Sequence, residues 1–439
     1  MPTSPSTRGP LFDAVFGADD LAPLVSDRAW IGALLEVEVA ITASAVGIGR
    51  ATEDDAVAVA DAAGVLAREL DPAELGALAA AGGNPVIPLV KLLRGRTCAP
   101  ATVVHVGATS QDVMDTALML LARRTGGRIL DHLHTAAGAA ADLARQHRAT
   151  PMIARTLGQQ ALPTTFGALA ATWLTGLDDA YAELERALTA LPVQYGGAAG
   201  TLAAVAPHGL VFADDLADRL GLARSPLPWH TVRTPVTRLA AALGVAAGAV
   251  SKPAADVVLM AMTEIGEVSE DSPGGSSAMP HKRNPVAAIS ARAAARRVPG
   301  LVATILSCAD HEFARAAGPW HAEWEPLTDL LRLTGGAAHR LAASLAGLHV
   351  HVDALDRNLA LTGGAVLAEK VVSALSQHVD DALTIVTDAA VSGTALDEDP
   401  RITAHLPDDE LAELLDPTRY LGHATDLVDR ALDRHEGSA

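Results

Sequence analysis

Apolar positions in this chain recur at helical spacing over long distances. The clearest run follows Pro235: Leu239, Leu243, Ala246, Val250, Ala254, Val257, Ala261, Ile265 and Val268 are separated by steps of 4, 3, 4, 4, 3, 4, 4 and 3 residues. Steps of three and four keep side chains on one face of a 3.6-residue turn. The pattern therefore predicts a long core helix, kinked at Pro253 where the ring removes a backbone donor. Leu133, Ala137, Ala140 and Ala144 repeat it, as do Leu327, Leu331, Ala338 and Leu341. Near the start, Trp30, Leu34, Leu35, Val37, Ala40 and Ile41 form a shorter stripe, with Ser26 or Asp27 placed to cap it. Thr52 and Glu53 open another amphipathic segment, and Asp71-Pro72 ends it.

Polar, Gly- and Pro-rich segments interrupt the stripes. Residues 81–88 (AGGNPVIP) carry Asn84. Residues 105–116 (HVGATSQDVMDT) carry His105, Thr109, Ser110 and Gln111, then lead into a helix with an expected break at Gly126-Gly127. Residues 150–165 (TPMIARTLGQQALPTT) carry Thr156 and Gln159 and read as a loop, and 274–285 (GGSSAMPHKRNP) carry Ser276, Ser277, Met279, Lys282, Arg283 and Asn284. Loops of this polarity between apolar helices are where binding and catalytic groups concentrate.

Composition narrows the class. Aromatic residues make up only 3% of a chain that is 49% hydrophobic, so the core is built from Ala, Leu and Val. Ala and Leu favour helices, whereas strands prefer aromatic and β-branched residues, and an all-α fold follows. The net charge of −19 argues against a nucleic-acid surface but leaves room for a local basic pocket and an anionic small molecule. Two cysteines, Cys98 and Cys308, are too few for a disulfide framework and suit a cytoplasmic protein. The N-terminus lacks the apolar stretch of a secretory signal. No run of about 18 consecutive apolar residues predicts a membrane span.

A metal is not expected. His132 and His134 stand at i and i+2, which do not converge on a helix, and His311-Glu312 and His321-x-Glu323 lack a HExxH or CxxC partner. Arg233, Arg283, Arg292 and Arg315 are candidates to hold a substrate carboxylate, a task that suits the bidentate guanidinium.

GSSAMPHKRNP, ATSQDVMDTA and RTLGQQALPTT resemble the three separated signatures of the fumarase/aspartase superfamily, and the resemblance spans nearly the whole chain. It implies an all-α, three-domain fold: residues 1–105, a long-helix bundle at 106–349 and a small helical domain at 350–439. It also implies a homotetramer with a twenty-helix core, active sites built from loops of three subunits, no cofactor and a small di- or tricarboxylate substrate. Family members remove a proton from the carbon beside a carboxylate while a group on the neighbouring carbon departs.

Carried onto this sequence, the resemblance makes Ser276 the catalytic base, with Lys282 and the backbone N–H groups around Gly274, Gly275 and Ser277 steadying its charge. Thr109, Ser110, Thr156, Gln159 and Asn284 are the matching substrate donors. Asn84, His105, Gln111, Met279, Arg283 and Arg233 complete the expected lining.

The departures sharpen the reading. Relatives that expel amines or water pair a histidine in the middle signature with a glutamate beyond the lysine; here these positions are Leu157 and Ile289. The histidine that adenylosuccinate lyases place ahead of the Thr-Ser pair is Asn84. A departing carboxylate, with a pKa of about 4, needs no proton to leave. The missing pair therefore points to a weakly basic leaving group, as in the lactonising cycloisomerases of 3-carboxy-cis,cis-muconate. Expulsion of nitrite from nitrosuccinate meets the same condition, and adenylosuccinate lyase fits less well.

Overall fold

The structure, a computed structural model, describes residues 10–275 and 278–438. Helices hold 67% of the described residues, in line with the all-α expectation. Four are long: Ser110–Gln146, Phe166–Thr189, Thr234–Met260 and Trp324–Ala346. Each contributes residues to both of two compact units. One unit holds the chain up to Leu133 with Ala180–Ser251 and Ser290–Arg340; the other holds His134–Asp179, Lys252–Ile289 and Leu341–Ala439.

The apolar stripes are the buried faces of these helices. Leu239, Leu243, Ala246, Val250, Ala254 and Val257 are fully buried, as are Leu133, Ala140 and Ala144 and then Leu327, Ala338 and Leu341. The Thr234–Met260 helix carries Pro253 in its interior and ends before the stripe does, for Val268 lies in a strand. Ser110–Gln146 runs unbroken through Gly126, which lies against Leu188 of the Phe166–Thr189 helix.

In the first unit, local caps set the helix boundaries. The Ser26 hydroxyl accepts from Ala29 N at 3.2 Å and starts Asp27–Gly47. Thr52 and Asp55 form a reciprocal capping box at the head of Glu53–Glu69. Such caps satisfy backbone N–H groups that the first turn leaves unpaired. The 81–88 segment is mostly helix, because Pro72–Gly82 runs into it and Val86–Arg96 leaves it; only residues 83–85 connect the two.

In the second unit, residues 151–165 form an antiparallel hairpin where a loop was expected. Met152, Ile153 and Thr165 are buried near its base, so β-branched and apolar residues override the Gly-Gln-Gln polarity at its tip. Val268–Glu270 pairs antiparallel with Leu348–Val350. A separate cluster of C-terminal helices packs around Val371, Leu375, Val386, Leu396, Leu406 and Leu411.

Asp27–Gly47 and Thr234–Met260 are long and apolar enough, by length and composition, to cross a membrane. Scattered polar residues kept either from reading as a continuous apolar run. Both bury apolar stripes within the protein, and the first also buries Glu38.

Candidate active site

In the first unit the 105–116 segment is organised by Asp112, which is buried. Its carboxylate accepts from Thr109 N at 2.9 Å, Gly196 N at 3.0 Å, Gly197 N at 2.9 Å and His230 Nε2 at 2.7 Å. One side chain thus caps the Ser110–Gln146 helix and ties the Gly-rich 196–200 turn and the 228–233 segment to it. Charge-assisted hydrogen bonds of this kind are roughly twice as strong as neutral ones.

Thr109 and Ser110 sit where this knot leads into the helix, and Arg315 reaches Thr109 and Gln111 from the 309–318 segment. Its Nη1 donates to the Thr109 hydroxyl, and its Nε donates to Gln111 Oε1 at 3.3 Å. Among the described residues no carboxylate lies in ion-pair range of Arg315. A half-buried guanidinium beside a threonine hydroxyl, without an acid of its own, is fitted to receive an anion.

Gln111 and Arg233 have no such freedom. Gln111 is 1% exposed and donates to Asp115 Oδ2 at 3.2 Å and His230 O at 2.8 Å. Arg233 is buried between Asp115 (2.7 Å) and Glu323 (2.6 Å) and lies over the Trp229 ring. Their donors are occupied by Asp115, Glu323 and the His230 carbonyl, and the two side chains support the wall behind Arg315. Two carboxylates share that one cation. Burial pushes the Glu323 carboxyl up to about 7, Arg233 opposes the rise, and Asp115 adds to it. Trp320 Nε1 also donates to Asp115, at 3.0 Å.

His105 opens the segment in a left-handed conformation, φ 66°. Its Nδ1 lies 2.7 Å from Oε1 of the buried Glu38. Burial alone would lower its pKa, but the hydrogen bond and charge of Glu38 outweigh burial and raise it. Asn84 accepts from Val86 N at 3.1 Å and so starts the Val86–Arg96 helix.

In the second unit the hairpin carries Thr156 and Gln159 as cross-strand partners flanking its two-residue tip. Leu157 (φ 52°) and Gly158 (φ 80°) form that tip, and positive φ at both positions is the type I′ pattern. Glycine accepts it freely; leucine does not. Leu157 is nonetheless fully solvent-exposed, at 104%. Just below the tip, Arg155 grips the buried Glu267 bidentately at 2.6 and 2.8 Å, with Asn358 donating to the same carboxylate at 2.7 Å.

The 274–285 segment is closed at its neck. Gly274 and Asn284 exchange two backbone hydrogen bonds at 2.9 Å, and Asn284 Nδ2 donates to Gly274 O at 3.1 Å. Immediately beyond, Glu270 accepts from Ala287 N at 3.0 Å, Ala288 N at 2.9 Å and the Ser344 hydroxyl at 2.6 Å, capping the Val286–Ala295 helix. Asn284 therefore shapes the loop that presents Met279, Lys282 and Arg283, all exposed. Ser276 and Ser277 lie outside the described residues. Ile289 is exposed on the helix that follows. The sequence offered no signal for Glu267 or Glu270, since a lone glutamate beside a loop reads as a solvated charge.

A helical fold with three polar loops of this kind defines a lyase scaffold. A family model described as Lyase matches residues 28–300, more than half of the chain, and the chain belongs to this family within the fumarase/aspartase superfamily. It is 45% identical over 433 residues to a nitrosuccinate lyase of Streptomyces davaonensis, covering 93% of this chain and 91% of the relative. It is 41% identical to a 3-carboxy-cis,cis-muconate cycloisomerase of Pseudomonas aeruginosa, covering 97% and 96%. The crystal structure of a 3-carboxy-cis,cis-muconate lactonizing enzyme from Pseudomonas putida matches with a TM-score of 0.90 at 36% identity, covering 98% of this chain and 99% of that one.

Proposed function

We propose that this enzyme moves a proton at the carbon beside a carboxylate while a weakly basic anion bonds to, or leaves, the neighbouring carbon, and that its substrate is 3-carboxy-cis,cis-muconate. The observation that carries the weakly basic leaving group is the Leu157–Ile289 pair, and the substrate choice rests on Arg315 as a site for an additional carboxylate. Where amine- and water-expelling relatives hold a histidine and a glutamate, this chain has two apolar, exposed side chains, one of them strained. A site lacking that pair has no acid for a strongly basic leaving group. It is suited to a carboxylate that enters or leaves without a proton. Strain retained at an exposed turn supports a role for Leu157 beyond folding.

In the proposed reaction an oxygen of a substrate carboxylate forms the new C–O bond and closes the lactone. The electron pair of the attacked double bond takes a proton from Ser276 at the adjacent carbon. Lys282 steadies the serine alkoxide that results. Thr109, Ser110, Thr156 and Gln159 hold the carboxylate oxygens on which charge builds, and Arg315, with Arg283, takes the additional carboxylate of a tricarboxylate. The loops come together from three subunits of a cytoplasmic homotetramer, with no cofactor. Lactone formed in D2O will carry one deuterium, on the carbon next to the new C–O bond. Lactone free of deuterium would overturn the proton-transfer step.

A second reading is favoured by the 45% identity to a nitrosuccinate lyase. There Ser276 takes the proton from the carbon beside a carboxylate, nitrite leaves its neighbour with the bonding pair, and fumarate forms. Both reactions share the apolar pair and differ in the number of carboxylates, which makes Arg315 the residue to watch.

A further inference from the structure

Three side chains that the catalytic reading does not use meet in the first unit. The ligand atoms of Asp20, His132 and His339 all lie within 4.8 Å of one another. Asp20 Oδ2 is 3.1 Å from His132 Nε2, and the two imidazoles lie edge to face with centroids 4.8 Å apart. His132 and His134 diverge along their helix. The partner is His339, on the Trp324–Ala346 helix, and no periodicity along one helix reveals it.

Packing explains why the three converge. Gly335 and Gly336 lie one turn before His339, and Ile129 lies one turn before His132, on matching helix faces. A Cβ at Gly335 would overlap the Leu21 side chain and stand 3.1 Å from Ile129 Cγ1. A Cβ at Gly336 would overlap the Phe16 carbonyl and stand 2.9 Å from Gly17 Cα. The two glycines thus admit the 16–21 segment directly onto the helix. Leu21 is fully buried there, and its neighbour Asp20 is held against His132, with His339 within 4.8 Å.

We propose that Asp20, His132 and His339 bind one divalent cation of the Zn²⁺ class. Two imidazoles and one carboxylate are borderline ligands suited to that ion, and water completes a tetrahedron. Bonds of about 2.0–2.2 Å set tetrahedral ligand atoms about 3.4 Å apart. Asp20 and His132 already stand close to that separation, and a small rotation of the half-buried His339 ring closes the set. Asp19 adds to the attraction. Arg340, whose Nη2 donates to Ala14 O at 2.6 Å, opposes it. The bound ion ties the segment ahead of the Asp27–Gly47 helix to two long helices.

The test is titration of chelator-treated full-length protein with ZnCl2 by calorimetry, and with CoCl2 by visible absorption. The expected result is one saturable equivalent per chain with the intense bands of tetrahedral Co²⁺, lost in both His132→Gln and His339→Gln. Absence of a saturable equivalent overturns the proposal. So does an equivalent that both histidine variants retain, which would place the ion on other surface histidines. Asp20→Asn alters an exposed carboxylate and keeps the test decisive should the histidine variants fail to fold. Its binding must weaken, and unchanged binding rejects the three-ligand site.

Discussion

Arg315 donates from Nε to Oε1 of Gln111 at 3.3 Å, while Gln111 is fixed from behind by Asp115 and the His230 carbonyl. A buried amide thus aims a guanidinium that no acid among the described residues neutralises. Arg315→Gln is expected to lower kcat/KM by about 10- to 100-fold, mostly through KM, because a charge-assisted contact to a substrate carboxylate is lost. Arg315→Lys restores part of the loss, since it returns the charge without the fork. Unchanged KM in both variants would remove Arg315 from the substrate site.

Ser276→Ala is expected to leave a folded protein whose turnover falls by roughly 10²-fold or more. Circular dichroism and steady-state kinetics on the same preparation check this. Near-normal turnover would exclude Ser276 as the proton-transferring group.

Leu157→Asn separates stability from function. Asn tolerates the left-handed turn better than Leu and is expected to stabilise the fold by about 0.5–1 kcal/mol. Turnover is expected to fall, because a polar amide replaces the apolar side chain the proposed site requires. A variant that gains stability and keeps full activity would leave the strain without a catalytic reason.

Glu323 gives a pH signature. Its folded pKa, about 7, lies above the ordinary value of 4.5 because burial disfavours the carboxylate. The folded state therefore holds the proton more tightly than the unfolded chain. The resulting stability is complete below about pH 4.5 and is lost as pH rises through about 7. Against Glu323→Gln, the wild-type advantage in unfolding free energy is expected to shrink by on the order of 1–3 kcal/mol across that window. Denaturant melts at several pH values measure it, and a flat difference would contradict the assignment.

The helices were legible in the sequence because their stripes are long and regular: Leu239 to Val257 needed only counting. The hairpin at 151–165 was not, because its β-strand character lies in two buried residues, Met152 and Ile153, beside a polar tip. The signature residues could be located from sequence, but not their roles. The partners of Gln111 and Arg233 were not legible: Asp115, Glu323 and the His230 carbonyl take their donors. Asn284 likewise holds the neck of its loop through Gly274. Such assignments depend on partners far along the chain, which spacing cannot supply.

A single assay decides the substrate. Purified enzyme is supplied with 3-carboxy-cis,cis-muconate, and its diene absorbance is followed, with nitrosuccinate in a parallel reaction monitored for fumarate. The account predicts rapid loss of the diene absorbance and a higher kcat/KM for the tricarboxylate. Persistence of the diene together with fumarate release from nitrosuccinate would contradict it.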